Sequence, residues 1–173
     1  SELYSRIQAV QERIDTAAEK VGRDPKDIIL VAASKMNDAE RVRTAIACGI
    51  RVCGENRVQE LLDKYEQNAY AGADLQFIGT LQTNKVKYLI GKVSLIQSVG
   101  SVRLGEAIAR EAEKRGIRQD ILLEVNIGRE AAKSGLLLEE LDDAVSRLCE
   151  KKSLHIRGLM AIPPIADQTS KNL

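Results

Sequence analysis

Tryptophan is absent from the 173 residues, phenylalanine and histidine occur once each, and aromatic side chains make up only 3% of the chain. With so few rings there is no platform on which nucleic-acid bases could stack. Charge of one sign is missing too: 26 Lys and Arg face 25 Asp and Glu, a formal net charge of +1, so no electrostatic footprint for a polyanion is visible. A nucleic-acid partner is not expected. The single histidine, His155, precedes the last apolar run, which disfavours any histidine-dependent triad. Cys48, Cys53 and Cys149 form neither a metal-ligand spacing nor an even disulfide framework, as fits a reducing compartment. They read as small core residues. No apolar run approaches the ~20 residues that span a bilayer, and the N-terminus lacks the basic-then-apolar layout of a signal peptide. A cytoplasmic protein without a membrane partner is the expectation.

Periodic patterning, by contrast, is plentiful. Leu3, Ile7, Val10, Ile14, Ala17 and Val21 recur at steps of four and three, which predicts a leading amphipathic helix over 2–21, its stripe packed on its own domain. Short apolar runs then alternate with helical spacing. The strand-like runs are 28–33, 50–53, 75–78, 93–99, 121–127 and 156–162. Between them lie helical sets such as Val42, Ala45 and Ile46, or Val58, Leu61, Leu62 and Tyr65. Runs that are apolar throughout suit strands buried on both faces, and intervening helices supply the crossovers that parallel strands require. The fold class is α/β with a parallel sheet.

An open doubly wound sheet and a (β/α)₈ barrel both satisfy that pattern. No Gly-x-Gly-x-x-Gly follows the first strand, as a dinucleotide-binding sheet would suggest. Polar residues instead collect at the carboxyl ends of the strands: Ser34 and Lys35, Glu55 and Asn56, Thr80 and Gln82, Gln97 and Ser98, Asn126, and Met160 in the last. Barrels build their sites from such ends, and a TIM-type barrel is the expected architecture. A whole barrel typically takes about 250 residues, so a single domain over 1–173, stopping after the sixth strand with the C-terminal strands missing, is expected.

Lys35 stands where the first apolar run stops. A lysine amine held at a barrel rim can form a Schiff base with an aldehyde once it is neutral. Most strand-end lysines are simply solvated. The stretches "VAASK", "GENRVQE" from Gly54, "FIGTLQTNKVK" from Phe77, "EVNIGREAAKSG" from Glu124 and "RGLMAIPP" from Arg157 together resemble the pyridoxal phosphate homeostasis family, in order and spacing, over nearly the whole chain. The resemblance implies a barrel similar to the N-terminal domain of alanine racemase, with pyridoxal 5′-phosphate held as an aldimine on Lys35. It also implies a cytoplasmic role in vitamin B6 and amino-acid homeostasis, without established turnover. PLP-dependent enzymes would be the acceptors. A monomer is expected, with a dimer left open.

Further site residues carry competing readings. By the resemblance Asn56 lies beside the cofactor, whereas Asn opening a helix is also an ordinary N-cap. Glu55 and Arg57 would hold the loop through rim hydrogen bonds. Met160 would cover one face of the pyridine ring or fill the core. Ser98 and Asn126 would contact the cofactor or bond local backbone. Lys133 would approach the barrel mouth and influence Lys35, and Lys85 and Lys87 read as a solvated helix face. Family members commonly carry histidine at the position of Thr80 and threonine at that of Met36, which puts one polar contact in doubt. The segments that grip the cofactor phosphate and pyridine nitrogen in the family have no counterpart in residues 1–173. Two other functions compete: an amino-acid racemase or other PLP-dependent enzyme, and an aldolase-type Schiff base without the cofactor.

Overall fold

The structure is a computed structural model that describes residues 1–130 and 134–165. They form two compact units, the first made of residues 1–78 with 92–94, the second of 79–91 with the described residues from 95 on.

In the first unit, α1 (Glu2–Lys20) leads into β1 (Ala32–Ala33), α2 (Ala39–Ala47), β2 (Val52–Glu55), α3 (Val58–Glu66) and β3 (Asp74–Phe77). The helices start where the sequence offers side-chain acceptors: Ser1 caps α1 and Asp38 caps α2 through the Arg41 amide. The three strands run parallel in chain order, Ala32 opposite Cys53 and Val52 opposite Asp74. Leu61, Phe77 and Cys53 are fully enclosed between helices and strands. Gly54 sits mid-strand because a Cβ there would come within 2.9 Å of both Val31 and Ile78.

Two expectations fail in this unit. The first strand covers two residues instead of 28–33, and Ile29 is 62% exposed. Among the described residues of this unit β1 pairs only with β2, so the chain ahead of Ala32 gains no ladder on its other flank. The apolar stripe of α1 is also less covered than expected. The one buried residue of the helix, Ala18, lies outside that stripe, and Leu3, Val10 and Val21 are exposed. An open groove of about 770 Å³, lined by Ile7, Gln11, Ile28 and Ile50 among others, runs along the helix.

The second unit repeats the alternation with α4 (Val86–Leu89), β4 (Leu95–Val99), α5 (Val102–Lys114), β5 (Gln119–Glu124), α6 (Leu138–Cys149) and β6 (Leu154–Met160). Its strands are parallel, Leu95 opposite Asp120 and Gln119 opposite Leu154. Leu89, Ile96, Ile108, Ile121, Leu123 and Leu148 make the core, each under 2% exposed. Gly105 lets α5 approach Leu148 of α6, whose methyls would lie 2.6 Å from an added Cβ. The closing strand is not buried on both faces as its apolar run suggests: burial alternates along it. His155 and Arg157 stand on the exposed face and turn to Asp120 of β5, at 3.1 and 3.7 Å. Cys53 is a core residue as expected, but Cys149 is exposed at the end of α6, where its thiol donates to the Ser146 carbonyl. Among the described residues no helix is long and apolar enough to cross a membrane, and no cluster could hold a metal ion.

Candidate functional site at the carboxyl ends of the strands

In the first unit the chain leaves β1 at Ser34, turns at Lys35 and Met36, and enters α2 at Asp38. The Ser34 amide continues the ladder to the Gly54 carbonyl, and its hydroxyl donates to Glu55 Oε1. Glu55, the last residue of β2, is 0% exposed. A buried carboxyl needs partners, and Lys64 of α3, itself 4% exposed, supplies one. Its Nζ lies 3.0 Å from Glu55 Oε1 and 2.9 Å from Glu60 Oε1, and donates at 2.7 Å to the Ser34 carbonyl. Glu60 in turn accepts the Met36 amide at 2.6 Å. Burial acts to raise the Glu60 pKa, but the bonds from Lys64 and Met36 outweigh it and hold the carboxyl below its usual range. Met36 has φ +64° and is 88% exposed, a backbone conformation that costs a non-glycine residue about 1–2 kcal/mol.

The side chain of Lys35 is exposed, and among the described residues its amine makes no ion pair or hydrogen bond. Next to the network, Asn56 does not cap α3. The N-cap is Arg57, which offers no side-chain bond either, so the capping reading of Asn56 is set aside. Among the described residues its Oδ1 is enclosed and has no hydrogen-bond partner, and the enclosed Tyr70 hydroxyl lies against the Glu55 carboxylate. Burial first, then the charge of Glu55, pushes the Tyr70 phenol far up. The same two causes raise the Cys53 thiol to about 11. A buried polar atom without a partner is costly, because it forfeits its hydration.

In the second unit the strand-end groups are engaged locally. The buried Ser98 hydroxyl donates to the Gly79 carbonyl. The Asn126 amide donates to the Glu130 carbonyl at 2.8 Å and its Oδ1 accepts the Glu130 amide at 3.3 Å, closing the loop after β5. Met160 ends β6 half-buried, its carbonyl accepting the Val125 amide at 2.9 Å. Thr80 is exposed, Lys87 lies 5.2 Å from the Tyr88 ring centroid, and Lys133 falls outside the described residues.

Sequence reasoning missed Lys64, Glu60 and Tyr70. A signal existed for the first: Lys64 follows Leu61 by three positions, so a cation stands on the apolar stripe of α3, and Glu60 precedes it by four. The buried charge that results was invisible without its partners on β1 and β2.

The sequence profile of the family described as "Alanine racemase, N-terminal domain" matches residues 6–172. The pyridoxal phosphate homeostasis protein of Aquifex aeolicus is 45% identical over 159 residues, covering 92% of this chain and 70% of the relative. A crystal structure of an unknown protein from Bifidobacterium adolescentis superposes with TM-score 0.89 at 34% identity, over 97% of this chain and 72% of that one. PipY of Synechococcus elongatus, solved with PLP bound, gives TM-score 0.74 at 30% identity over 92% and 73%. The expected alanine racemase-type barrel class is therefore that of the matched family, and the chain belongs to the alanine racemase N-terminal-domain family and, within it, to the pyridoxal phosphate homeostasis proteins.

Proposed function

We propose that this chain binds pyridoxal 5′-phosphate through the amine of Lys35 and serves the intracellular balance of vitamin B6 and amino acids as a holder of the cofactor. The observation that carries the reading is a pair of free groups on a rigid mount. Lys35 offers an exposed amine with no partner among the described residues, on a turn whose neighbours are bonded on both sides. Asn56 Oδ1 stands close by in sequence to that network as a buried acceptor without a donor among the described residues, which suits a ligand that completes it. The residues present fit the group: a lysine amine is the nucleophile that an aldehyde takes, and the enclosed amide oxygen can fix its orientation. When bound, the cofactor supplies an electron sink.

Met160, Ser98 and Asn126 come to the proposal by resemblance. Met160 keeps its thioether for an apolar ring face, whereas Ser98 and Asn126 would contribute beyond the backbone bonds they already make. A reactive aldehyde held in this way would be passed to PLP-dependent acceptor enzymes.

The test is reduction of the protein with borohydride in the presence of pyridoxal phosphate, followed by peptide mass mapping. A single adduct on Lys35, lost in Lys35→Ala, is the expected outcome. An adduct spread over surface lysines and unchanged by that substitution would remove the proposal. Incubation with a panel of L-amino acids, following product chirality, separates a holder from a racemase.

A further inference from the structure

One helix grips the backbone on both sides of Lys35, and among the described residues it makes no hydrogen bond to the Lys35 amine. From α3, Lys64 Nζ binds the carbonyl of Ser34, the residue before, at 2.7 Å. From one turn earlier on α3, Glu60 Oε1 accepts the amide of Met36, the residue after, at 2.6 Å. The two gripping side chains are joined to each other at 2.9 Å, and Lys64 is tied to the enclosed Glu55 at 3.0 Å. Bonds to ionised partners are the stronger class. Held at both flanking peptide groups, the Lys35 Cα has a fixed position and direction, while the amine keeps its freedom to react. The left-handed conformation of Met36 is part of the same device: it aims the amide at Glu60, and the bond there offsets the strain.

We propose that Glu60 and Lys64, anchored on Glu55, are positioning residues for Lys35, presetting the angle at which its amine meets an aldehyde. This rests on the reading of Lys35 as the cofactor-anchoring residue. Reactivity depends steeply on such placement, so loosening the clamp slows capture of the aldehyde even when the protein stays folded.

Glu60 is the residue to change, since it lies at the edge of the network with its side chain 24% exposed. Glu60→Ala removes the acceptor, and Glu60→Gln keeps an oxygen for the Met36 amide. Three quantities are read on the full chain: hydrogen exchange of the Met36 amide, borohydride-trapped uptake of pyridoxal phosphate at Lys35, and, in cofactor-free protein, acetic anhydride labelling of Lys35. The last two are expressed relative to Lys87 in the same molecule. Global destabilisation moves both lysines, whereas loss of positioning moves only Lys35. In Glu60→Ala, Met36 exchange should quicken and the Lys35 ratios should change by roughly tenfold, about the worth of one charged hydrogen bond. Glu60→Gln should restore most of both. Unchanged Lys35 ratios in Glu60→Ala overturn the proposal, whatever the exchange rate does. If wild-type Lys35 takes up no pyridoxal phosphate, the functional reading falls, and the labelling ratio in cofactor-free protein then decides the positioning role by itself.

Discussion

Glu55 closes β2 and Glu124 closes β5, yet the two carboxyls live differently. Glu55 is wholly enclosed, shares a buried lysine with the carbonyl at the β1 exit, and acts on the enclosed Tyr70 phenol. Glu124 is 9% exposed and takes the hydroxyl of Ser134 at 2.9 Å. The contrast extends to their neighbours. In the first unit Asn56 keeps an enclosed oxygen with no partner among the described residues, whereas in the second Ser98 and Asn126 use their polar groups to tie down loops. Local satisfaction of this kind stabilises a loop. An unsatisfied buried group beside a charged network marks the unit that carries the lysine proposed to anchor the cofactor.

The ion pairs give the sharpest way to break that comparison. Lys64→Met leaves Glu55 enclosed with its cation gone, and should cost about 3–5 kcal/mol of stability in urea unfolding, as for other buried pairs that lose one partner. In the second unit Arg129 and Glu139 pair at 2.9 Å with more than half of each side chain exposed. The guanidinium draws Glu139 down to about 2, but solvent screens such a pair. Glu139→Gln should leave the urea midpoint in place. Equal losses for the two variants would erase the distinction between the units.

Smaller in effect, and opposite in sign, are two strand-end truncations. Ser98→Ala takes a donor from the Gly79 carbonyl and should cost about 1 kcal/mol. Asn56→Ala removes an acceptor that has no donor among the described residues, so cofactor-free protein should hold its stability or gain up to about 1 kcal/mol, while uptake of pyridoxal phosphate weakens. A loss at Asn56 matching that at Ser98 would mean that its amide is bonded in solution.

Acid offers the finest comparison. The Glu60 carboxyl has its pKa lowered on folding from an ordinary 4.5. Its contribution is therefore complete above that value and is lost as pH falls through the lower folded value. Protection of the Met36 amide from hydrogen exchange should decay over that acid range, whereas the Glu130 amide, bound to the uncharged Asn126 side chain, should show no such step beyond the intrinsic pH dependence of exchange. Parallel behaviour of the two amides would remove the charged acceptor from the account of the Lys35 turn.

How much of this was legible beforehand follows from the range over which each feature is encoded. The alternation of apolar runs with helical spacing, the parallel class, and the placement of Lys35, Asn56, Ser98, Asn126 and Met160 near strand ends are local properties, because side-chain direction repeats every two residues in a strand and every 3.6 in a helix. The residues themselves settled these. They did not settle that β1 shrinks to two residues, that β6 leaves one face exposed, or that Asn56 Oδ1 has no partner among the described residues while Ser98 is bonded. Nor did they show Lys64 meeting Ser34 across 30 positions and Ser34 meeting Glu55 across 21. Burial and partnership depend on what the folded chain brings from far away, and a charge becomes a clamp only when water has been replaced around it.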